Sequence, residues 1–334
     1  MAAVDAAPLR LAFIPSPPVS GIHLGPLFIH VYGLMYVIGI ALAIYVTSRR
    51  WVAAGGDSAL VSDLAVWVVP AGIIGGRIYF DVTTPFDNTP HTWWGPLAVC
   101  NGGLGVWGGI AAGALVGAWR VRRAGASVGQ FMNAIAPALL IAQAVGRIGN
   151  YFNQELFGKP STLPWALKIS PAHRPAGYTQ FATFQPSFLY EIIWNLCLAG
   201  FLIWLGNRRK IKPPGLMALY VAGYAGYRIF EETIRIDYSV HVLGMRLNFW
   251  IATLVCLAGL AWFVWIQKRG KYDPLPLDGP PSEAARVRPR RKPSGPYRKP
   301  PAPTYGKKSA SGGKPASGAR PTSRSGGSRR GSDP

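Results

Sequence analysis

The chain has 334 residues, of which 49% are hydrophobic, yet its formal net charge is +21. These two values exclude an ordinary soluble globular protein unless the charges are segregated from the apolar residues. From Lys268 to the C-terminus there are 17 Lys and Arg against 4 Asp and Glu, a net +13, so most of the charge belongs to a tail and the body has the composition of a membrane protein.

Seven apolar runs are long enough, or nearly so, to cross a hydrocarbon core of about 30 Å as helices. In chain order they are 27–48, 60–80, 103–119, 128–146, 186–206, 215–233 and 247–267. The first and the last contain no charged residue, whereas four others carry charges near one end. The sequence therefore predicts an all-α membrane protein with about seven transmembrane helices.

Basic clusters follow every odd-numbered run, and they set the expected orientation. The clusters are Arg49–Arg50, Arg120–Arg123, Arg208–Lys212 and Lys268–Lys271. Short loops rich in Lys and Arg remain on the cytoplasmic side of a membrane. We therefore expect an odd number of spans, with the N-terminus outside and the C-terminus in the cytoplasm.

The composition divides the chain into three parts. Residues 1–26 are expected to be an external N-terminal segment without a cleavable signal peptide, and 27–267 a seven-helix transmembrane domain. Within that domain, residues 147–185 are expected to form an ordered external arm between helices four and five. Residues 268–334 are predicted to be a disordered basic cytoplasmic tail, either passive or attracted to anionic lipid. No aromatic platform accompanies its charge, so nucleic-acid binding is not expected.

Six charged residues lie within an apolar run or directly after one at the end that the predicted topology places toward the external face. They are Arg77, Arg147, Glu191, Arg228, Glu231 and Glu232. A charge at mid-membrane costs about 2.5–3.5 kcal/mol, so such residues are retained for pairing or for a site. Two interpretations stay open: ion pairs that lock helices together, or a polar cavity whose arginines bind the phosphate of an anionic lipid.

Helical spacing predicts which of these charges form pairs. Arg228 and Glu232 are four residues apart, as are Glu231 and Arg235, so each pair would lie along one face of a helix. Glycines between 102 and 109 open the third run and also allow two interpretations. Small residues let two membrane helices approach closely, and a bare backbone would also let a lipid headgroup approach.

Residues 146–158 read Gly-Arg-Ile-Gly-Asn-Tyr-Phe-Asn-Gln-Glu-Leu-Phe-Gly. This stretch closely resembles the signature of the prolipoprotein diacylglyceryl transferases of bacterial inner membranes. Further blocks resemble the family in the same order, at residues 30–36, 75–77, 186–191 and 228–235. The resemblance extends over about residues 22–267 and leaves the tail outside it.

The resemblance implies an enzyme, a transferase that moves the diacylglyceryl group of phosphatidylglycerol onto the lipobox cysteine of a preprolipoprotein signal peptide. It also implies a multi-pass protein of the bacterial inner membrane, in contact with membrane lipid, with its active site toward the external face. Because the nucleophile belongs to the substrate, the enzyme needs no reactive cysteine of its own. A metal is not expected, because Asp63 and Asp81 are isolated, and no other cofactor is expected.

Site residues follow from matching the motifs to this sequence. Arg147 and Arg228 are expected to hold the lipid phosphate, and Glu232 is expected to fix Arg228. Tyr32 is expected to interact with the thiol or the leaving group, although it could instead be an interfacial anchor. The predicted catalytic residues are thus Arg228, Glu232 and Tyr32, and the predicted lipid-binding residues are Arg147, Asn150, Glu155, Gly158 and Arg77.

Two positions depart from the pattern of many family members. Trp107 and Gln185 stand where those members have histidines, so a mechanism that requires either histidine cannot be transferred to this chain. His30 is a second, weaker candidate for the base.

Competing functions make different predictions. A transporter or channel for an anionic substrate would distribute its charges through the membrane depth and would favour an internal repeat, whereas these charges cluster on one side. An intramembrane protease would need a Ser–His or paired Asp arrangement, and none is apparent in the sequence.

Overall fold

The computed structural model describes residues 13–25, 27–83 and 103–270. All of them lie in Met1–Arg288, one of two compact units of the chain. The predicted disorder of the tail beyond residue 270 and the structure of residues 1–12 therefore lie outside the described residues.

Seven long helices are present in the described residues, and each overlaps one of the predicted apolar runs. They are α1 (Val31–Ala53), α2 (Ser58–Thr83), α3 (Val106–Arg123), α4 (Val128–Asn153), α5 (Ser187–Arg208), α6 (Gly215–Ile234) and α7 (Leu247–Arg269). The mostly helical fold is thus confirmed.

Five of these helices, α1, α2, α4, α5 and α7, are long and apolar enough to cross a membrane. The other two carry three charges each within a short helix. Three arginines lie in the last turn of α3, and α6 contains Arg228, Glu231 and Glu232. The structure therefore supports a helical membrane protein with five candidate spans, and a seven-span arrangement stays a prediction.

In the described residues, three short antiparallel hairpins lie outside the helices, and the sequence did not predict them. Strand β1 (Gly21–Leu24) pairs with β2 (Leu27–His30), β3 (Leu167–Lys168) with β4 (Thr183–Phe184), and β5 (His241–Val242) with β6 (Met245–Arg246). With two to four residues in each strand, these hairpins are too short for an alternating pattern to reveal them in the sequence. They shape the connections next to the helix ends.

The connection between α4 and α5 is shorter than the predicted arm, because α4 continues about two turns beyond the predicted run and ends at Asn153. The helix stops where Gln154 adopts a left-handed conformation, with φ of 51°. The connecting segment 154–186 then packs around buried Leu167, Ile169 and Phe184. Its backbone also pairs with the N-terminal segment through the bridge between Ile14 and Leu167.

Helices α2 and α3 approach each other through glycine. A Cβ atom on Gly108 would lie 2.2 Å from the carbonyl oxygen of Gly75, and one on Gly75 would lie 2.6 Å from the carbonyl oxygen of Gly108. No larger side chain fits this contact without moving a backbone. Of the two interpretations of the glycine stretch, close helix packing therefore has direct structural support.

The remaining helices pack around α4. Gly39 of α1 lies against the backbone of Ala142, and buried Leu140, Leu202 and Leu216 join α4, α5 and α6. The carboxamide oxygen of Asn133 accepts a hydrogen bond of 2.9 Å from the Leu216 amide at the start of α6. Because α4 contacts α1, α5 and α6, side chains near its C-terminal end can meet side chains from all three.

Candidate active site

Arg147 lies in the last two turns of α4 and pairs with a carboxylate on the neighbouring helix. Its Nε atom is 2.7 Å from Oε2 of Glu191, which lies in the first turns of α5 and is fully buried. A buried carboxylate needs such a partner, because removing one member of a buried ion pair leaves an uncompensated charge. The pair therefore holds the C-terminal end of α4 against α5.

Two predicted lipid-binding residues orient the other side of Arg147. Its Nη1 atom donates a hydrogen bond of 3.1 Å to Oδ1 of Asn150, whose Nδ2 atom donates one of 2.8 Å to Oε1 of Glu155. Asn153 Nδ2 lies 3.4 Å from the same carboxylate oxygen. The structure thus brings together Arg147, Asn150 and Glu155 as a continuous hydrogen-bonded chain.

Arg228 forms the second cationic centre, on α6. Its terminal nitrogens pair with Glu231 and with Glu232, so the predicted Arg228–Glu232 pair is confirmed. The predicted Glu231–Arg235 pair is wrong. Helix α6 ends at Ile234 and Arg235 has extended backbone, with ψ of 147°, so the four-residue spacing no longer brings the two side chains together. Arg235 instead donates a hydrogen bond of 2.6 Å to Asp237.

The two cationic centres belong to one polar cluster. Tyr224 lies one turn before Arg228 on α6, and its hydroxyl donates a hydrogen bond of 3.2 Å to Oε1 of Glu191, the carboxylate that holds Arg147. Glu191 and Glu231 each interact electrostatically with both arginines. Arg147 and Arg228 are therefore connected through Glu191 and through Tyr224, which lies one turn from Arg228.

Arg246, a residue that the sequence did not single out, completes this cluster from β6. Its Nε atom lies 2.7 Å from Oε2 of Glu232. Its Nη2 atom donates a hydrogen bond of 3.0 Å to Asp237. Burial alone would raise the pKa of the Asp237 carboxyl, but the hydrogen bonds and charges of Arg235 and Arg246 outweigh burial and lower that pKa below its ordinary value. The sequence analysis missed Arg246 because this residue lies between two apolar runs. A charge there carries no free-energy cost of burial in the membrane and therefore does not point to a site.

Tyr32 reaches the cluster from the first turn of α1. Its ring packs on Gly149, where an added Cβ atom would lie 2.2 Å from Tyr32 Cδ2. Its hydroxyl is 3.0 Å from that of Tyr36, and it interacts electrostatically with Glu155 and Arg147. His30, the weaker candidate, precedes α1 and is exposed, with its ring 4.6 Å from that of Phe28.

The contacts of two other predicted lipid-binding residues are structural. Gly158 donates a backbone hydrogen bond of 2.9 Å to Gln185 and forms a β-bridge with Arg235, which joins the connecting segment to the end of α6. Arg77 on α2 pairs with Asp81 at 3.1 Å and donates a hydrogen bond of 3.2 Å to the Gly103 carbonyl. These contacts give both residues a role in the fold, and lipid binding by them stays a prediction.

The positions that lack the family histidines have different surroundings. Trp107 lies in the first turn of α3 with 58% of its surface exposed, and Gln185 pairs through its backbone with Gly158 and Lys159. One Ser–His contact does occur, between Ser170 Oγ and His173 Nδ1 at 2.7 Å in the connecting segment. Ser170 precedes the 3₁₀ turn that contains His173, so this contact is a local one across that turn.

The arrangement has the chemistry of an anion site. Guanidinium groups bind phosphate through paired, directed hydrogen bonds, and carboxylates behind them fix their orientation. Arg147 and Arg228 are both partly exposed, with 17% and 18% of their side-chain surface accessible, whereas Glu191 and Glu232 behind them are buried. The two cations thus keep some accessible surface, whereas the carboxylates that they contact have almost none.

Residues 20–265 match the family described as prolipoprotein diacylglyceryl transferase. A relative from Frankia alni named phosphatidylglycerol--prolipoprotein diacylglyceryl transferase is 44% identical over 287 residues, which cover 85% of this chain and 75% of the relative. A relative from Streptomyces coelicolor, with the same name followed by the numeral 2, is 43% identical over 77% of this chain and 81% of its own length.

A third relative of that name, from Bifidobacterium adolescentis, is 41% identical over 282 residues, which cover 80% of this chain and 84% of the relative. The matched region contains all seven helices except the last four residues of α7. It contains both cationic centres as well. The chain therefore belongs to the prolipoprotein diacylglyceryl transferase family.

Proposed function

We propose that this chain transfers the diacylglyceryl group of phosphatidylglycerol to the lipobox cysteine of a prolipoprotein. Family membership supports the reaction, and relatives that are 41–44% identical carry that activity in their names. The observation that carries the proposal in this chain is the joining of Arg147 and Arg228 in one polar cluster through Glu191 and Tyr224.

The proposed reaction is a displacement at carbon. The cysteine sulfur of the peptide attacks the glyceryl carbon that bears the phosphate, a carbon–sulfur bond forms, and the carbon–oxygen bond to phosphate breaks. The electron pair of that bond leaves with glycerol phosphate, and the thiol proton is lost to a base or to the departing phosphate. Negative charge grows on the phosphate as it leaves, so fixed cations there lower the barrier.

Each residue of the cluster has a place in this scheme. Arg147 and Arg228 bind the phosphate, Asn150 and Glu155 orient Arg147 or the headgroup glycerol, and Glu232 fixes Arg228. Tyr32 lies against Gly149 and beside this chain of hydrogen bonds, which supports its proposed contact with the thiol or the leaving group. Arg77 and Gly158 complete the proposed lipid-binding set through the neighbouring backbone.

The proposed setting is the inner membrane of a bacterium. Basic clusters after the odd-numbered helices support an external N-terminus, so the cluster and the connecting segment 154–186 would face outward. A substrate lipid would then come from the outer leaflet, and the lipobox of a prolipoprotein would meet the site after its signal peptide enters the membrane. The charges of α4, α5 and α6 gather at one end of the helices, which disfavours an ion pathway through the full membrane depth.

A direct assay tests the proposal. Purified protein is incubated with phosphatidylglycerol labelled in its acyl chains and with a lipobox peptide, and a thioether-linked diacylglyceryl peptide is the expected product. A peptide with serine in place of the lipobox cysteine is the matched control and should remain unlabelled. Absence of product from the cysteine peptide, together with flux of an anion across liposomes that contain the protein, would overturn the proposal in favour of a transporter.

A further inference from the structure

Arg246 lies at the end of the β5–β6 hairpin, directly before α7, and it is 8% exposed. All its donor nitrogens are engaged. Nε contacts Glu232 at 2.7 Å, Nη1 donates a hydrogen bond of 2.6 Å to the Asp237 carbonyl, and Nη2 donates one of 3.0 Å to the Asp237 carboxylate. A guanidinium held at three nitrogens has a fixed plane, which a lysine could not reproduce.

The carboxylate of Glu232 has two close arginine partners, and Nη1 of Arg235 lies farther away, at 3.9 Å from Oε1. Its Oε1 atom pairs with Arg228, which lies on the same helix, and its Oε2 atom pairs with Arg246, which comes from the hairpin. The Glu232 side chain has no exposed surface, so no water is available to replace either partner at low cost. The orientation of this carboxylate, and with it the position of Arg228, therefore depends on Arg246.

The charges around Arg228 are balanced only when Arg246 is present. Three cations and three carboxylates of the described residues are joined here by ion pairs: Arg228, Arg235 and Arg246 with Glu231, Glu232 and Asp237. Removing Arg246 would leave one excess negative charge and would free Oε2 of Glu232 to pair with Arg228. Both effects would reduce the attraction of Arg228 for an anion.

We propose that Arg246 is a positioning residue, which keeps Arg228 available to the lipid phosphate by sharing the carboxylate of Glu232. The inference rests on the proposed function, because the anion that Arg228 would bind is the phosphate of phosphatidylglycerol. Arg246 does not touch the substrate in this scheme. Its effect on Arg228 passes through Glu232.

Steady-state kinetics on the full-length protein test the inference. For Arg246→Met we expect kcat with phosphatidylglycerol to fall about tenfold or more, because Arg228 would stabilise the negative charge of the transition state less well. The KM for the lipobox peptide should stay near the wild-type value. Arg246→Lys keeps the charge beside Glu232 and should retain a kcat between those of Arg246→Met and the wild type. The control is Arg174→Met, which removes an arginine that contacts only backbone carbonyls in the connecting segment and should keep the wild-type kcat.

A double-mutant cycle separates positioning from a purely structural role. If Arg246 acts through Glu232, the Arg246→Met substitution made in a Glu232→Gln background should change kcat by less than about twofold. A further tenfold loss in that background, or a wild-type kcat for Arg246→Met, would overturn the inference. The comparison of the double variant with Glu232→Gln does not require a folded Arg246→Met variant. In that background one of the two carboxylates that lose Arg246 is already neutral, and the other, Asp237, keeps its pair with Arg235. Absence of thioether product from the wild type would instead refute the proposed function.

Discussion

Two parts of this molecule bring apolar helices together in opposite ways. Helices α2 and α3 meet through glycine, with Gly75 and Gly108 in backbone contact. Helices α4, α5 and α6 meet at one end through charges, with Glu191 and Glu231 buried beside Arg147 and Arg228. The first contact needs no polar group, so the charges of the second are not required merely to join helices. The gathering of these charges at one end of α4, α5 and α6 supports the proposed anion site.

The largest expected effect is on the charged contact. Arg147→Ala should reduce transfer about 100-fold to 1,000-fold, because it removes a preorganised cation from the departing phosphate. Membrane insertion should be unaffected, since α4 keeps its apolar residues. Initial rates of thioether formation, with protein amount measured in the membrane fraction, check this. A purified, folded variant with normal transfer would remove Arg147 from the proposed site.

The glycine contact should respond in stability. Gly108→Ala forces a Cβ atom to within 2.2 Å of the Gly75 carbonyl oxygen, so we expect a loss of about 1–3 kcal/mol in unfolding free energy. Gly200→Ala on α5 is the matched control, because an added Cβ atom there has nothing within 4 Å. Thermal unfolding in detergent compares the two. Equal midpoints would show that α2 and α3 tolerate a larger separation.

Arg77 lies at the end of the glycine contact between α2 and α3. A substitution there tests whether this residue only stabilises the fold or also binds lipid. Its hydrogen bond to the Gly103 carbonyl joins α2 to the segment before α3, whereas its contacts with Asp81 and the ring of Phe80 lie within α2. Arg77→Met removes all three and should lower the unfolding free energy by about 1–2 kcal/mol. If Arg77 also binds lipid, KM for phosphatidylglycerol should rise as well. An unchanged KM for phosphatidylglycerol in the folded variant would show that Arg77 stabilises the fold and does not bind the lipid.

The smallest effect concerns acid stability next to the charged contact. The pKa of Asp237 is lowered in the folded protein, so its contribution to stability is present above its unfolded value of about 3.8 and is lost as pH falls through the folded pKa. Asp237→Asn should therefore lower stability at neutral pH and leave a shallower decline below about pH 4. Unfolding midpoints between pH 3 and pH 7 check the sign. Parallel curves for variant and wild type would contradict it.

The features that were predicted best from the sequence are those that depend on a single helix. Apolar runs located the helices, and four-residue spacing gave the Arg228–Glu232 pair. The partner of Arg147 could not be predicted from the sequence, because Glu191 is 44 residues away. The contact between these two side chains depends on how α5 is rotated against α4. Nor could the sequence predict Arg246, whose place depends on a hairpin with two residues in each strand. The Glu231–Arg235 prediction failed because the helix ended one residue too early.

Residues before α1 are also fastened to the segment after α4. Backbone hydrogen bonds join Ile14 to Ala166 and Lys168, and the Tyr151 hydroxyl donates one of 2.9 Å to the Pro15 carbonyl. These hydrogen bonds link the segment before α1 to α4 and the segment after it, so α1 and α4 cannot separate at this end unless the hydrogen bonds break. Tyr32 on α1 and Arg147 on α4 are therefore held in fixed relative positions by contacts outside the polar cluster itself.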